Sequence, residues 1–393
     1  MSLDDAAGIA GKAHLGVMGG GQLGRMFVHA AQSAGFRVVV LDPDADSPAG
    51  RAADLHLRAA YADSAGLAEL ARQCFAVTTE FENVPAAALE HLSAGATFVA
   101  PAGRSVRVCQ HRAAEKRFFL EAGVACAPFT TIESSADVDQ VDSALLPGIL
   151  KSSQLGYDGK GQVQVRTAAD LDTAWTSLSR VPCVLEKRLP LARELSVVLA
   201  RDVHGMIVHL PVQQNLHRDG ILAVTQVPAP DVPSATGDVA MRMASQLAQA
   251  LGYVGVLCVE FFVLEDGSLV ANEMAPRPHN SGHYSIDACD LSQFDLQVRV
   301  LAGLPLVPPR QHSAAVMLNL LGDLWFPPGA AVPRAPDWAS VLALPGMHLH
   351  LYGKSEPRRG RKMGHLTVTA IDAATALARA REASSLLGLP TID

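Results

Sequence analysis

Two glutamates carry the clearest chemical signal in this chain. In Val259-Glu260-Phe261-Phe262 and the following Asn272-Glu273, an Asp266-Gly267 pair separates two apolar runs. Asp-Gly favours a two-residue hairpin turn. Numbering outward from such a turn sets Glu260 opposite Glu273, and directly opposed side chains have Cβ atoms about 4.5–5.5 Å apart. Two carboxylates there, among Cys258, Phe262 and Ala271, repel unless something neutralises them. A hard divalent cation does so, most often Mg²⁺ with bound phosphates. One protonated or outward-turned carboxylate, or a shifted register, would relieve the same repulsion. The loop that follows, Met274-Ala275-Pro276-Arg277-Pro278-His279-Asn280-Ser281-Gly282-His283, offers Arg277, His279 and Asn280 as donors to a small anion such as bicarbonate or phosphate, or else is a solvated loop.

Three further stretches suit phosphates. Gly156-Tyr157-Asp158-Gly159-Lys160-Gly161-Gln162 follows Lys151 on a predicted strand. Its amides and Lys160 could fold over a polyphosphate while Lys151 supplies fixed charge; an ordinary long hairpin loop is the alternative. No G-x-x-x-x-G-K-[ST] loop occurs. Gly19, Gly21 and Gly24 form a G-x-G-x-x-G between a strand and a helix, with Asp42 ending the next strand. That pattern suits a dinucleotide, any other phosphorylated ligand at an amide-lined helix start, or tight strand-to-helix packing alone. Finally, Lys354, Arg358, Arg359, Arg361 and Lys362 concentrate five cations in a chain of net charge −7, as a solvated face or as a site for a substrate phosphate.

The elements that must position these residues change character along the chain. Apolar strands such as His14 to Met18, Arg37 to Leu41 and Phe75 to Thr79 alternate with helical stretches in the first third, which predicts a parallel sheet. The middle reads as mainly antiparallel strands with one long helix, Asp238 to Leu251, and then the acidic hairpin. The Pro-rich Leu304 to Pro309 marks a junction before a tail of short strands. At 393 residues and 49% hydrophobic content the chain suits two or three domains without staples. An acidic balance argues against nucleic acid as the main partner. The six cysteines lack C-x-x-C or metal-ligand spacing, which suits a reducing cytoplasm. No run of about 18 uncharged apolar residues is present, so no membrane span is expected. The first dozen residues lack a signal-peptide pattern and read as a loose tail.

Taken together, GGGQLGRM, GYDGKGQ, the Glu260/Asn272-Glu273 hairpin, NEMAPRPHNSGH and YGKSEPRRGRKMGH resemble the 5-(carboxyamino)imidazole ribonucleotide synthases. These are ATP-grasp enzymes of de novo purine synthesis, also described as the ATPase subunit of phosphoribosylaminoimidazole carboxylase. The resemblance runs from about Leu15 to the C-terminus. The stretches Asn272 to His283 and Lys354 to His365 are specific to this family, and the others are shared across ATP-grasp proteins.

The resemblance implies an α/β and α+β architecture. After a flexible tail, 1–13, a Rossmann-like substrate-side domain would span 14–110. An ATP-grasp domain with lid loop 153–162 would span 111–304, and a small β-rich C-terminal domain 305–393. It implies that Arg112 and Lys151 contact ATP phosphates and that Gly156 to Gln162, including Gly159, Lys160 and Gly161, close over them. Glu186, Lys187, Arg188 and Leu189 match the adenine segment, Glu194 the ribose acid and His217 a nucleotide contact. Glu260 and Glu273 match Mg²⁺ ligands, with Mn²⁺ as a substitute. Asn272 also matches a nucleotide contact, although on an ideal strand it turns to the other face and its part requires a local twist. Arg277, His279 and Asn280 would hold bicarbonate or carboxyphosphate. Tyr157 and Asp158 would approach the amine of 5-aminoimidazole ribonucleotide, with Asp158 as base. Gln22, Leu23, Glu80, Asn83, Lys354 and Arg361 would hold that ribonucleotide. The family implies a cytoplasmic homodimer whose product passes to a mutase. Competing expectations are another ATP-grasp ligase, such as a formate-dependent glycinamide ribonucleotide transformylase or a biotin carboxylase; an NAD-dependent oxidoreductase; and a non-catalytic nucleotide scaffold.

Overall fold

The computed structural model describes residues 14–154, 161–327, 329 and 332–392. The alternating first third forms a five-stranded parallel sheet in the order Leu55–Leu57, Arg37–Leu41, His14–Met18, Cys74–Thr79, Phe98–Val99. Val38 to Leu41 are fully buried, as a sheet covered on both faces by crossover helices requires. The chain direction of strand addition reverses between His14–Met18 and Cys74–Thr79, and the crevice beyond the carboxyl ends of such a pair is where open α/β sheets bind ligands. Gly19–Gly21 and Glu80–Asn83 lie there.

A nine-stranded antiparallel sheet carries the rest of the chemistry. Its order is Leu269–Ala275, Gly255–Leu264, Leu191–Arg201, Gln213–Arg218, Ile221–Val227, Ala314–Leu321, Lys362–Ala370, Met347–Leu351, with Ile207–His209 pairing beside Leu191–Arg201. The tail strands therefore extend the same sheet: Ile221–Val227 pairs directly with Ala314–Leu321 across the Pro-rich junction.

The acidic hairpin departs from the sequence expectation at two places. Leu264 pairs with Ser268, so three residues, Glu265 to Gly267, make the turn where two are expected. Asp266 accepts the Ser268 amide at 2.9 Å and Gly267 takes a φ of 83°, which stabilises the longer turn. Then a bulge at Asn272 inserts one unpaired residue, because Phe261 pairs with Ala271 and Glu260 with Glu273. The two shifts cancel, and the acids face each other as expected.

A small four-stranded sheet, in the order Phe129–Ile132, Cys183–Lys187, Gly148–Ser152, Gln162–Val165, has its own core around Leu150, Leu171, Trp175 and Leu185. By contrast, the parallel sheet and the large sheet share one core. Helix Gln22–Ser33 contributes Met26 and Phe27, helix Gln293–Ala302 contributes Phe294, Val298 and Leu301, and the large sheet contributes Val198 and Ala200. A buried hydrogen bond from Gln297 Nε2 to Thr78 Oγ1, 3.0 Å, ties that helix to the parallel sheet. Among the described residues, no helix is long and apolar enough to cross a membrane.

Candidate active site

The site is built around the end of the edge strand Leu269–Ala275. Glu260 and Glu273 form a cross-strand pair. Glu273 Oε2 receives Arg112 Nη1 at 3.2 Å, and Glu260 Oε1 lies 3.3 Å from His279 Nε2. Burial and the neighbouring Glu273 push the Glu260 carboxyl above its ordinary range. Burial acts on Glu273 as well, but Arg112 and Lys151 hold it lower. The pair is thus asymmetric, with one acid ready to charge and one that a further cation would help to charge. The bulge brings Asn272 beside them, and its buried Oδ1 has no protein partner. This oxygen-rich set suits a hard divalent cation.

Helix Arg112–Glu121 supplies three groups to this edge. Besides Arg112, Lys116 donates to the backbone oxygen of the bulged Asn272 at 3.4 Å and contacts Glu186 at 3.2 Å. Glu115 accepts the Met274 amide at 2.7 Å. Neither Lys116 nor Glu115 stands out in the sequence, although spacings of three and four from Arg112 place them toward one helix face.

Lys151, on strand Gly148–Ser152, lies 3.1 Å from the same Glu186 oxygen. Burial opposes the charge of Glu186, but Lys151, Lys116 and Arg112 hold its carboxyl down to about 2. Its other oxygen is buried and unpartnered. Lys187 and Leu189 are half-buried beyond it and Arg188 is exposed. Glu194 pairs with His217 Nδ1 on the adjacent strand. Burial works against protonation of His217, yet Glu194, with Glu260, raises it to about 9, so the imidazole is a cation at neutral pH. Gly156, Tyr157, Asp158, Gly159 and Lys160 lie outside the described residues. The base of that loop is held where Ser152 donates to the Gly161 oxygen at 2.8 Å and Gln162 pairs with Lys151.

The loop after the edge strand gathers donors on the other side of the acids. Arg277 Nε binds Glu82, which enters from the carboxyl end of strand Cys74–Thr79. The Asn280 side chain is buried, and neither of its polar atoms has a partner. Burial, then the charge of Arg277, pushes His279 well below its ordinary value, so the ring is neutral. Lys362, one of the five cations of the C-terminal basic stretch, acts electrostatically on Glu82, Glu260 and His279.

The Gly-rich turn is closed to a pyrophosphate. Gly20 donates its amide to Asp42 Oδ2 at 2.7 Å, and Tyr61 also donates to that oxygen. Gly21 and Gly24 donate to the two oxygens of Glu80, the latter at 2.8 Å. The amides and the acid that a dinucleotide would use are engaged by the protein itself. Burial raises Glu80, and the Gly24 and Gly21 amides and the charge of Lys354 partly offset it; the C-terminal stretch meets the N-terminal domain where Arg51 donates to the Gly353 oxygen. Lys354 Nζ donates to the Lys362 oxygen at 2.6 Å and lies over the Tyr352 ring. Arg361 Nη1 donates to the Glu356 oxygen at 2.8 Å. Gln22 is half-buried, Leu23 is buried and Asn83 is exposed.

A separate cluster of Asp287, His350 and His365 places one donor atom from each within 4.8 Å of the others. His350 Nε2 is bonded directly to Asp287 Oδ2 at 2.8 Å. The two rings stack at 4.5 Å with 14° between their planes, so their lone pairs run parallel instead of converging on an ion.

A small sheet bearing a lysine, a large sheet bearing paired acids and a Rossmann-like sheet before them define an ATP-grasp protein. Family models agree: a ribonucleotide synthetase preATP-grasp domain matches residues 12–110, an ATP-grasp domain 117–294, and a phosphoribosylaminoimidazole carboxylase C-terminal domain 315–379. The chain is 42% identical to the N5-carboxyaminoimidazole ribonucleotide synthase of Brucella melitensis, over 90% of this chain and 95% of the relative. It is 38% identical to that of Bacillus subtilis, over 90% of each. Among solved structures it is similar to N5-carboxyaminoimidazole synthetase from Staphylococcus aureus complexed with ADP, with TM-score 0.86, 36% identity and coverage of 95% and 97%. It is also similar to N5-carboxyaminoimidazole synthase from Aspergillus clavatus in complex with ADP and 5-aminoimidazole ribonucleotide, with TM-score 0.86, 31% identity and coverage of 96% and 99%. The chain belongs to the N5-carboxyaminoimidazole ribonucleotide synthase family.

Proposed function

We propose that this chain uses ATP and bicarbonate to carboxylate the exocyclic amine of 5-aminoimidazole ribonucleotide, in purine biosynthesis. The observation that carries this reading is the convergence on one strand end of the Glu260/Glu273 pair, the Arg112 and Lys151 cations, and the unpartnered Asn280 amide beside Arg277 and His279. Family membership, with 42% identity over 95% of one relative, supports the same chemistry.

In this reading a bicarbonate oxygen attacks the γ-phosphorus of ATP, the bond to the β-phosphate oxygen breaks, and ADP leaves. The resulting carboxyphosphate, or CO₂ released from it, meets the amine; the N–C bond forms, inorganic phosphate departs and the amine loses a proton. Catalysis is mainly positioning and charge neutralisation. Arg112 and Lys151 offset charge on the phosphates, Glu194 and His217 hold the ribose end, and Glu186 to Leu189 flank adenine. Glu260 and Glu273, with Asn272, would hold Mg²⁺ or Mn²⁺, which when bound neutralises phosphate charge. Arg277, fixed by Glu82, binds the anion together with His279 and Asn280. Asp158, with Tyr157, serves as the base, and Gly156 to Gln162 exclude water during the reaction. Gln22, Leu23, Glu80, Asn83, Lys354 and Arg361 hold the ribonucleotide. The reading includes a cytoplasmic homodimer that hands its product to a mutase.

The basic stretch gives the test. Lys354→Ala should raise the KM for 5-aminoimidazole ribonucleotide about tenfold or more while the KM for ATP changes little, because only the ribonucleotide loses a charge partner. Equal rises in both would reject a substrate-phosphate role.

A further inference from the structure

Gln293 is the first residue of helix Gln293–Ala302 and is completely buried. Its amide spends every hydrogen-bonding group it needs on the anion loop. Oε1 accepts the His279 amide at 2.8 Å, and Nε2 donates to the His279 carbonyl at 2.8 Å. The same nitrogen donates to His283 Nδ1 at 3.0 Å. The two backbone partners together fix which end of the amide is oxygen and which is nitrogen. This is the pairing a neighbouring β-strand would give, supplied to an isolated residue by one side chain. Helix Gln293–Ala302 is itself anchored: Ser292 and Asp295 form a capping box, and Gln293 donates its own amide to Ser285 Oγ at 3.1 Å. One turn on, Gln297 reaches Thr78 of the parallel sheet.

His279 and Asn280 depend on that backbone in different ways. The His279 ring touches Glu260 and Ser281. The Asn280 side chain makes no hydrogen bond to the protein, so its direction follows its backbone and the packing around it. Gly282 completes the fit, since a Cβ there would fall 2.4 Å from Gln293 Oε1.

We propose that Gln293 is a positioning residue for the anion side of the site, clamping the His279 backbone so that His279 and Asn280 point at the bicarbonate. This rests on the reading of His279 and Asn280 as bicarbonate-holding groups. Gln293→Leu would fill similar space but strip the His279 amide and His283 Nδ1 of their partner and leave the His279 carbonyl with the Gly282 amide alone, and Gly282→Ala would displace the clamp while leaving its chemistry intact.

The test measures KM for bicarbonate in CO₂-depleted buffer, KM for ATP, kcat and Tm for Gln293→Leu, Gly282→Ala and Asn280→Ala. The expected result is a rise in bicarbonate KM of about tenfold or more in all three, with ATP KM within about twofold of the parent. If Asn280→Ala raises the bicarbonate KM and the other two do not, the clamp is overturned and the bicarbonate reading stands. If Asn280→Ala leaves it unchanged, the bicarbonate reading fails and the inference falls with it. If Gln293→Leu or Gly282→Ala raises both KM values alike with a fall in Tm, the residue is merely structural. Should Gln293→Leu not fold, Gly282→Ala, which keeps the amide, decides the matter by the same comparison.

Discussion

Glu273 is held between opposing demands. Burial disfavours its charge, and Glu260 faces it across the ladder, yet Arg112 lies 3.2 Å from its carboxylate and favours ionisation. An acid kept charged beside a second acid of raised pKa is prepared for a cation, not for a permanent ion pair. Glu273→Gln keeps the shape and removes the charge, so turnover should fall by about a hundredfold or more with the circular dichroism spectrum unchanged. Near-normal turnover would sink the assignment of the acid pair to metal and nucleotide. The sequence expectation reached this pair through a two-residue turn that is not formed, and it holds because the longer turn and the bulge at Asn272 offset each other. Lys116 was not: its role arises only when helix Arg112–Glu121 docks on the strand end and Glu186 arrives from the small sheet. Gln293 was equally silent, since its amide matters only through a loop fourteen residues back in sequence.

At the scale of elements, the docking of helix Arg112–Glu121 has a pH signature. Glu115 is buried against the Met274 amide, and burial, reinforced by Glu273, lifts its carboxyl to about 8 from an ordinary 4.5. A folded state that binds this proton more tightly than the unfolded chain is most stable below the ordinary carboxyl range. It loses that contribution as pH rises through the folded value. The parent should therefore unfold at lower urea between pH 6 and pH 9 than below it, while Glu115→Gln, always neutral and still an acceptor for Met274, should resist that loss by at least about 1 kcal/mol. Urea midpoints for both proteins at about pH 5.5 and about pH 8.5 decide it; parallel losses would contradict the role of Glu115. The acidic hairpin shows how far element reading reaches. A two-residue turn on an unbroken strand and a three-residue turn with one bulge give the same opposed acids. Asp266-Gly267 marks where the turn falls, but the bulge at Asn272 carries no local signal, and the Lys116 that bonds its carbonyl at 3.4 Å comes from a helix distant in sequence.

The whole molecule places its chemistry at a seam. The parallel sheet and the nine-stranded sheet share a core through helix Gln293–Ala302, while the small sheet has a separate core around Trp175. Glu82, Arg277, Glu80 and Lys354 meet where the first two join. Apolar alternation with helices made the parallel sheet legible. The continuation of the large sheet through the Pro-rich Leu304 to Pro309 was not, because strands distant in sequence pair without a local signal. The glycine turn misdirects in isolation, since its amides are satisfied by Asp42 and Glu80, residues whose partnership is a property of the folded sheet. The most direct measurement of the account is ADP release from ATP, Mg²⁺ and bicarbonate, with and without 5-aminoimidazole ribonucleotide. Strong stimulation by the ribonucleotide is the predicted result; folded, ATP-binding protein whose ADP release ignores the ribonucleotide would contradict it and point to a ligase with a different acceptor.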